Sequence, residues 1–311
     1  MTSVEQAIRS QPEAWRRVVL AQQNKAFALK SPSRIFFFGE GSSTFAAHLT
    51  AFSLRRSSVF QQKWGAVPLV SGSSLQMGSE WMPAQGDWVF AWTHRGKTAA
   101  TLRAAEMAHQ RGAEVIWVAS EEAPCPSFSP VHLKTCPLEK VEPHTVGLTA
   151  SVCAVTTFFG GAEMAEHWMK LADLACFDLE ELRAQVGSGP QVILGQWEGE
   201  WIGREARLKL MEMAGVFPQF FGSEEFFHGP QAALLKNHQF TQGFGASPKP
   251  ILWYVAHSED FRQKEIQADC CVQLSRETPV SWVLGLLELQ WRSLAVAINL
   301  NQDPNRLGKS S

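Results

Sequence analysis

A chain of 311 residues with 45% hydrophobic and 19% charged side chains can core one large or two medium domains and is not a disordered polymer. Lys plus Arg is 28 against 30 Asp plus Glu, so no basic excess marks a nucleic-acid binder. Six cysteines without a CxxC spacing read as reduced thiols rather than a disulfide framework or a zinc site.

The N-terminus, MTSVEQAIRSQPEAWRRVVL, has a charged amphipathic helix pattern and no apolar signal-peptide core. A helix is expected over residues 3–30, broken by Ser31-Pro32-Ser33. Arg34–Phe38 is a short apolar run ending in Gly39-Glu40-Gly41-Ser42-Ser43, which reads as a buried strand feeding a turn and then a helix, Thr44–Ser53. Further strands are expected at Trp88–Trp92 and Val115–Ala119, with a helix, Thr98–Arg111, between them. Continuous apolar strands alternating with helices argue for a parallel sheet covered on both faces. Glu121–Glu142 holds four prolines and reads as loop with one strand, and a long helix, Thr149–Leu171, closes this half.

Residues 172–190 read as a linker ending in Gly187-Ser188-Gly189-Pro190. The pattern then restarts, with strands at Gln191–Leu194, Gln219–Phe221, Ile251–Val255 and Cys271–Leu274. Two successive α/β units of similar size suggest an internal duplication. Val280–Leu300 is very apolar but carries Glu288, Gln290 and Arg292 in its middle, so it reads as a buried or interface helix rather than a membrane span.

Three stretches carry candidate chemistry. Gly41-Ser42-Ser43-Thr44 places small residues and hydroxyls at a helix start, where orphan N–H groups favour an anion, although Ser and Thr also cap helices for structural reasons alone. Thr93-His94-Arg95-Gly96-Lys97-Thr98 has the same strand-to-helix placement and adds cationic side chains. Two such loops at adjacent strand ends could converge on one phosphate. On the helix after Gly195, Glu205, Lys209 and Glu212 fall within roughly 60° of one another on one stripe bordered by Leu208 and Met213. The plain reading of that stripe is a solvated Glu–Lys pair worth a few tenths of a kcal/mol. Trp197 and Trp201 beside this helix, and His48 and His144, read as packing or capping residues.

In this order these residues resemble the SIS (sugar isomerase) family of phosphosugar-binding proteins. Gly41-Ser42-Ser43 is similar to the family's first Gly-Thr-Ser loop, and 93–98 to its Ser-x-Ser-Gly-x-Thr loop. Glu205, Lys209, Glu212 and the Glu225-x-x-His228-Gly229-Pro230 that follows resemble the isomerase half of glucosamine-6-phosphate synthase and the AgaS-type amino-sugar isomerase/deaminases. Glu142–Ser151, with Thr149, is closer to the AgaS type, and the tail Leu307-Gly308-Lys309-Ser310 to the synthase.

The resemblance implies an α/β protein with two SIS-type doubly wound, flavodoxin-like parallel-sheet domains in tandem. An N-terminal helix (1–30) would precede the first domain (31–175), a linker (176–190), the second domain (191–300) and a tail (301–311) contributing to the site. It implies a cytoplasmic homodimer with a shared active site built from both halves, binding a sugar phosphate and neither nucleic acid nor membrane. No metal or redox cofactor is expected.

Carried over residue by residue, Glu212 would move a proton between C1 and C2 of the opened sugar, and His228 would help open the ring. Lys209 and Glu205 would orient and polarise its hydroxyls, and Lys309 would form an imine with a ketose carbonyl. Gly41, Ser42, Ser43, Thr93, His94, Arg95, Gly96, Thr98 and Thr149 would bind the phosphosugar. The expected activity is aldose–ketose isomerisation or deamination of an amino- or amine-linked hexose 6-phosphate, with a non-catalytic phosphosugar sensor as the alternative. Two departures stand out: Arg95 replaces a small hydroxyl residue and Lys97 an acidic or polar one. With no glutaminase domain and no Cys at position 2, glutamine-driven synthesis is not expected.

Overall fold

The computed structural model describes residues 2–22, 30–187, 189–232, 250–257, 259, 266 and 268–305. Its chain divides into two compact units: Arg9–Lys140 with His144–Leu174, and Met1–Ile8 with Val141–Pro143 and Ala175–Ser311.

The first unit holds a five-stranded parallel sheet ordered β2-β1-β3-β4-β5. Its strands are β1 (Ile35–Gly39), β2 (Leu69–Ser73), β3 (Trp88–Trp92), β4 (Glu114–Ala119) and β5 (Val131–Lys134). Every residue of β1 and β3 is buried, as apolar runs in a sheet covered on both faces should be. Around the sheet lie α2 (Ser42–Arg56), α3 (Ser58–Trp64), α4 (Ala99–Gln110) and α5 (Val146–Leu174), while α1 (Ser3–Gln22) begins in the second unit and continues into the first. Phe37 and Phe90 pack with Phe159 of α5 through rings 6.3 and 5.3 Å apart, which joins helix to sheet, and Trp92 packs beside them on Phe37 at 5.5 Å. Helix α5 is long and apolar enough to cross a membrane by length and composition, but 72% of that stretch is buried inside the protein. Its helical geometry breaks at Gly161.

The second unit repeats the first four strand positions: its parallel sheet is ordered β7-β6-β8-β9. The strands are β6 (Gln191–Gly195), β7 (Gln219–Gly222), β8 (Ile251–His257) and β9 (Cys270–Leu274). Its helices are α6 (Leu179–Gln185), α7 (Glu198–Ala214), α8 (Ser223–Phe227) and α9 (Val283–Asn299). The turns after β1 and β6 have nearly the same backbone: Gly41 at φ 58°, ψ −129° and Trp197 at φ 57°, ψ −125°. The sequence reading missed β2, α3 and α6. The last lies within the stretch taken as a linker, where Asp178 caps it by accepting from the N–H groups of Glu180 and Glu181.

Candidate active site

In the first unit, the loops Gly41–Thr44 and Thr93–Thr98 leave the carboxyl ends of β1 and β3. These are hydrogen-bonded neighbours from which the chain proceeds outward in opposite directions, the switch point at which doubly wound sheets open a crevice. Gly41 takes a backbone conformation that side chains disfavour, and no atom stands within 4 Å of where a Cβ would be, so conformation alone calls for glycine here. At Gly96 both constraints act, with φ at 69° and a notional Cβ only 2.8 Å from the Pro124 carbonyl oxygen. Across the neck of this loop the Thr93 and Thr98 hydroxyls lie 3.2 Å apart. Arg95 and Lys97 are exposed.

Thr98 at the head of α4 makes no side-chain cap bond, whereas at the head of α2 the Thr44 hydroxyl donates to the Gly39 carbonyl oxygen at 2.7 Å, a structural role within its own turn. Thr149 lies elsewhere: it is fully buried on α5, where it accepts from Trp15 Nε1 at 2.9 Å and donates to Gln11 Oε1 at 2.7 Å.

In the second unit, the Glu205 stripe is a charge cluster rather than a solvated pair. Lys209 Nζ stands 3.3 Å from Glu205 Oε1 and 2.5 Å from Glu212 Oε2. Side-chain exposure is 0% for Glu205, 1% for Lys209 and 24% for Glu212, so only the last carboxylate reaches solvent. Burial pushes the Lys209 ammonium toward deprotonation, but the two carboxylates outweigh it and its pKa ends above the ordinary lysine value. The arrangement is a fixed positive charge with a buried carboxylate behind it and a partly exposed one in front.

Glu225 accepts from the Gly222 N–H at 3.3 Å and so caps the short α8, and His228 follows at that helix's end with its side chain exposed. Lys309 lies outside the described residues.

These geometries invite comparison with known proteins. Residues 28–159 match the SIS domain family. The SIS segment covers β1 to β5 and hence both Gly/Ser/Thr loops. Among solved structures, the C-terminal domain of glucosamine-fructose-6-phosphate aminotransferase from Francisella tularensis superposes at TM-score 0.75 and 16% identity, covering 99% of this chain and 98% of that one. Tagatose-6-phosphate ketose/aldose isomerase from Escherichia coli gives 0.74 at 16% identity over 98% and 95%. Glucosamine-6-phosphate deaminase from Thermotoga maritima gives 0.73 at 15% identity over 100% and 98%. At such identities the likeness is one of fold. A search of curated proteins by sequence finds no match.

Three polar arrangements escaped the sequence reading. Glu40 accepts from the Ser73 hydroxyl at 2.7 Å and the Leu75 N–H at 3.2 Å, tying the end of β1 to the end of β2. Glu139 accepts from the N–H groups of Thr145, Val146 and Gly147 at the head of α5, and its own N–H donates to His94 Nε2 at 3.0 Å. In the second unit, His257 Nδ1 lies 3.0 Å from the Leu274 carbonyl and Nε2 2.5 Å from Glu198 Oε1. A carbonyl can only accept, so Nδ1 is the donor toward Leu274 and Nε2 faces the Glu198 carboxylate. Only Glu40 was visible in a motif; Glu139 caps a helix six residues on, beyond the capping-box spacing, and Glu198 meets His257 across 59 residues.

Proposed function

We propose that the protein is a phosphosugar aldose–ketose isomerase or deaminase acting on an amino- or amine-linked hexose 6-phosphate. The observation that carries this reading is the Glu205–Lys209–Glu212 cluster. Burying an ammonium between two carboxylates costs desolvation that a merely structural surface pair would not incur, and it leaves one carboxylate, Glu212, at the boundary with solvent. A carboxylate so placed can take a proton from C1 or C2, and the adjacent fixed cation stabilises the enediolate that forms. Because its pKa is raised, Lys209 stays an ammonium and serves as electrostatic support rather than as an imine-forming amine. Imine formation is assigned to Lys309.

In this reading Gly41, Ser42, Ser43, Thr93, His94, Gly96 and Thr98 receive the phosphate in the first unit, and Thr149 supports that unit from its core. Glu205, Lys209, Glu212 and His228 act in the second. Arg95 adds a guanidinium fork suited to phosphate oxygens. We further propose that the second unit is a diverged SIS domain (191–300) paired with the first (31–175) by duplication, with 1–30 as a leading helix, 176–190 as the connection and 301–311 as a tail contributing to the site. The shared strand order and the matching turns at Gly41 and Trp197 support this. A cytoplasmic homodimer completes the proposal.

The exposed Arg95 and Lys97, where the family carries smaller or acidic residues, favour one alternative: a sensor that binds a phosphosugar without turning it over. Thermal melts with a panel of hexose 6-phosphates test both readings for binding. A ligand at a hundredfold excess over its Kd stabilises by about 2.7 kcal/mol, a rise of several degrees in Tm. NMR of the incubated mixture then separates turnover from binding. If no sugar phosphate raises Tm, both readings fail.

A further inference from the structure

The first unit contains a cluster in which His94, already placed in the proposed phosphate loop, meets Cys136 and Glu139, to which neither the sequence reading nor the proposed chemistry gives a role. His94, Cys136 and Glu139 each bring one ligand-type atom to within 4.8 Å of the others. Cys136 is 2% exposed, and the side chains of His94 and Glu139 are 12% and 6% exposed. Imidazole, thiol and carboxylate together are a donor set suited to a zinc-type divalent ion, unlike the all-oxygen sets that calcium and magnesium prefer.

Two independent features shape a space between these donors. The first is Gly147: a Cβ there would lie 2.5 Å from His94 Nδ1 and 3.0 Å from Glu139 Oε2, so any other residue would push into the gap between ring and carboxylate. The second is the fixing of Glu139, whose Oε1 accepts from Thr145 and Val146 N–H while Oε2 accepts from Gly147 N–H at 2.7 Å. Backbone donors of this kind orient a carboxylate as a metal site's outer partners do. Each carboxylate oxygen has two lone pairs, so Oε2 can meet an ion without giving up that bond.

We propose that His94, Cys136 and Glu139 form a binding site for a zinc-type divalent metal ion. The distance from His94 Nε2 to Glu139 Oε2, 3.9 Å, is somewhat wider than the roughly 3.3–3.5 Å that two such donors span on a tetrahedral zinc at 2.0–2.2 Å per bond. Binding therefore draws the ring and the carboxylate together by about half an ångström. If the ion takes Nε2, it replaces the Glu139 N–H on that nitrogen. The thiol gives up its proton to solvent as the sulfur–metal bond forms, so binding releases acid. Through His94 the ion would anchor the 93–98 loop to the segment that leads into α5. The site shares His94 with the proposed phosphate loop, but metal binding is read here without any sugar phosphate or turnover, so it can fail or hold independently of the isomerase reading.

Cobalt(II) titration of the full-length protein, freed of metal by a chelator and kept reduced, tests this. A cobalt–thiolate bond gives a charge-transfer absorption in the near ultraviolet that oxygen and nitrogen ligands do not. The expected result is such a band, saturating at one cobalt per chain and bleached by added zinc. It should be lost in Cys136→Ser and kept in Cys125→Ser, which removes an exposed thiol elsewhere. Circular dichroism of the variants shows whether both remain folded. Should Cys136→Ser fail to fold, His94→Ala must abolish saturable binding in a folded protein. No band in the wild type, or a band that survives Cys136→Ser, overturns the proposal, whether or not the protein turns over any sugar phosphate.

Discussion

At the level of single residues, the structure turns ambiguous letters into definite chemistry. Lys209 is the clearest case. Replacing it with methionine keeps the volume but leaves Glu205 buried without its cation, so Lys209→Met should cost about 3–5 kcal/mol in a urea melt. A loss below about 1 kcal/mol would mean the pair is more hydrated than its burial indicates. Trp197 points the other way. It is a bulky residue held at φ 57° with 64% of its surface exposed, so its conformation is strained and little packing offsets the strain. Trp197→Gly should raise stability by about 1 kcal/mol, seen as an increased urea midpoint at unchanged m. Destabilisation would instead show that the indole makes contacts that matter in solution.

At the level of elements, strands made of continuous apolar runs were legible and the rest were less so. Trp88–Trp92 was read to the residue because five apolar positions are buried on both faces. Edge strand β2, Leu69-Val70-Ser71-Gly72-Ser73, is half-buried and ends in small polar residues, so its letters resemble a turn. Edge strand β5 is the one strand expected in the proline-rich 121–142 stretch, but the prolines hide the bounds of so short a strand. The loops proposed to hold an anion are recognisable from their Gly, Ser and Thr content. The supports behind them are not: Glu139 and His94 meet only through tertiary folding, and no local spacing announces them. Helix α7 was expected from its stripe, but its close approach to β8 was not, since that depends on Gly199. A Cβ there would fall 2.2 Å from the Val255 carbonyl oxygen, a backbone atom that cannot rotate away. Gly199→Ala should therefore destabilise the second unit by about 1–3 kcal/mol despite the better helix propensity of alanine. An unchanged melt would contradict that packing.

On the scale of the whole molecule, titration and turnover are the relevant readouts. Burial pushes the Cys136 thiol up to about 12 and Cys270 to about 11, with Cys153 also raised well above the usual thiol value by burial and Lys209 raised by its carboxylates. A raised native pKa means the folded state holds its proton after the unfolded chain has lost it. The stability these groups contribute is whole below the unfolded values, near 8.5 for thiols and 10.4 for lysine, and is lost as pH rises toward the native ones. Folding free energy from urea melts should accordingly fall steadily from pH 9 to about 11. In the native state a thiol reagent at pH 8 should label exposed Cys125, Cys176 and Cys271 well before buried Cys136, Cys153 and Cys270. Equal labelling rates would contradict the burial.

The functional reading stands or falls on whether this protein moves a proton on a sugar phosphate and whether Glu212 is what moves it. Incubation in deuterated water with fructose 6-phosphate, tagatose 6-phosphate and glucosamine 6-phosphate, followed by proton NMR, reads that step directly as deuterium entering C1 or C2. With at least one of these sugars the wild type should exchange. Glu212→Gln, folded and still stabilised by the same sugar, should be slower by about 10²–10⁴-fold. Exchange at the wild-type rate in Glu212→Gln would remove the glutamate from the mechanism. Binding without any exchange in the wild type would make the protein a phosphosugar sensor.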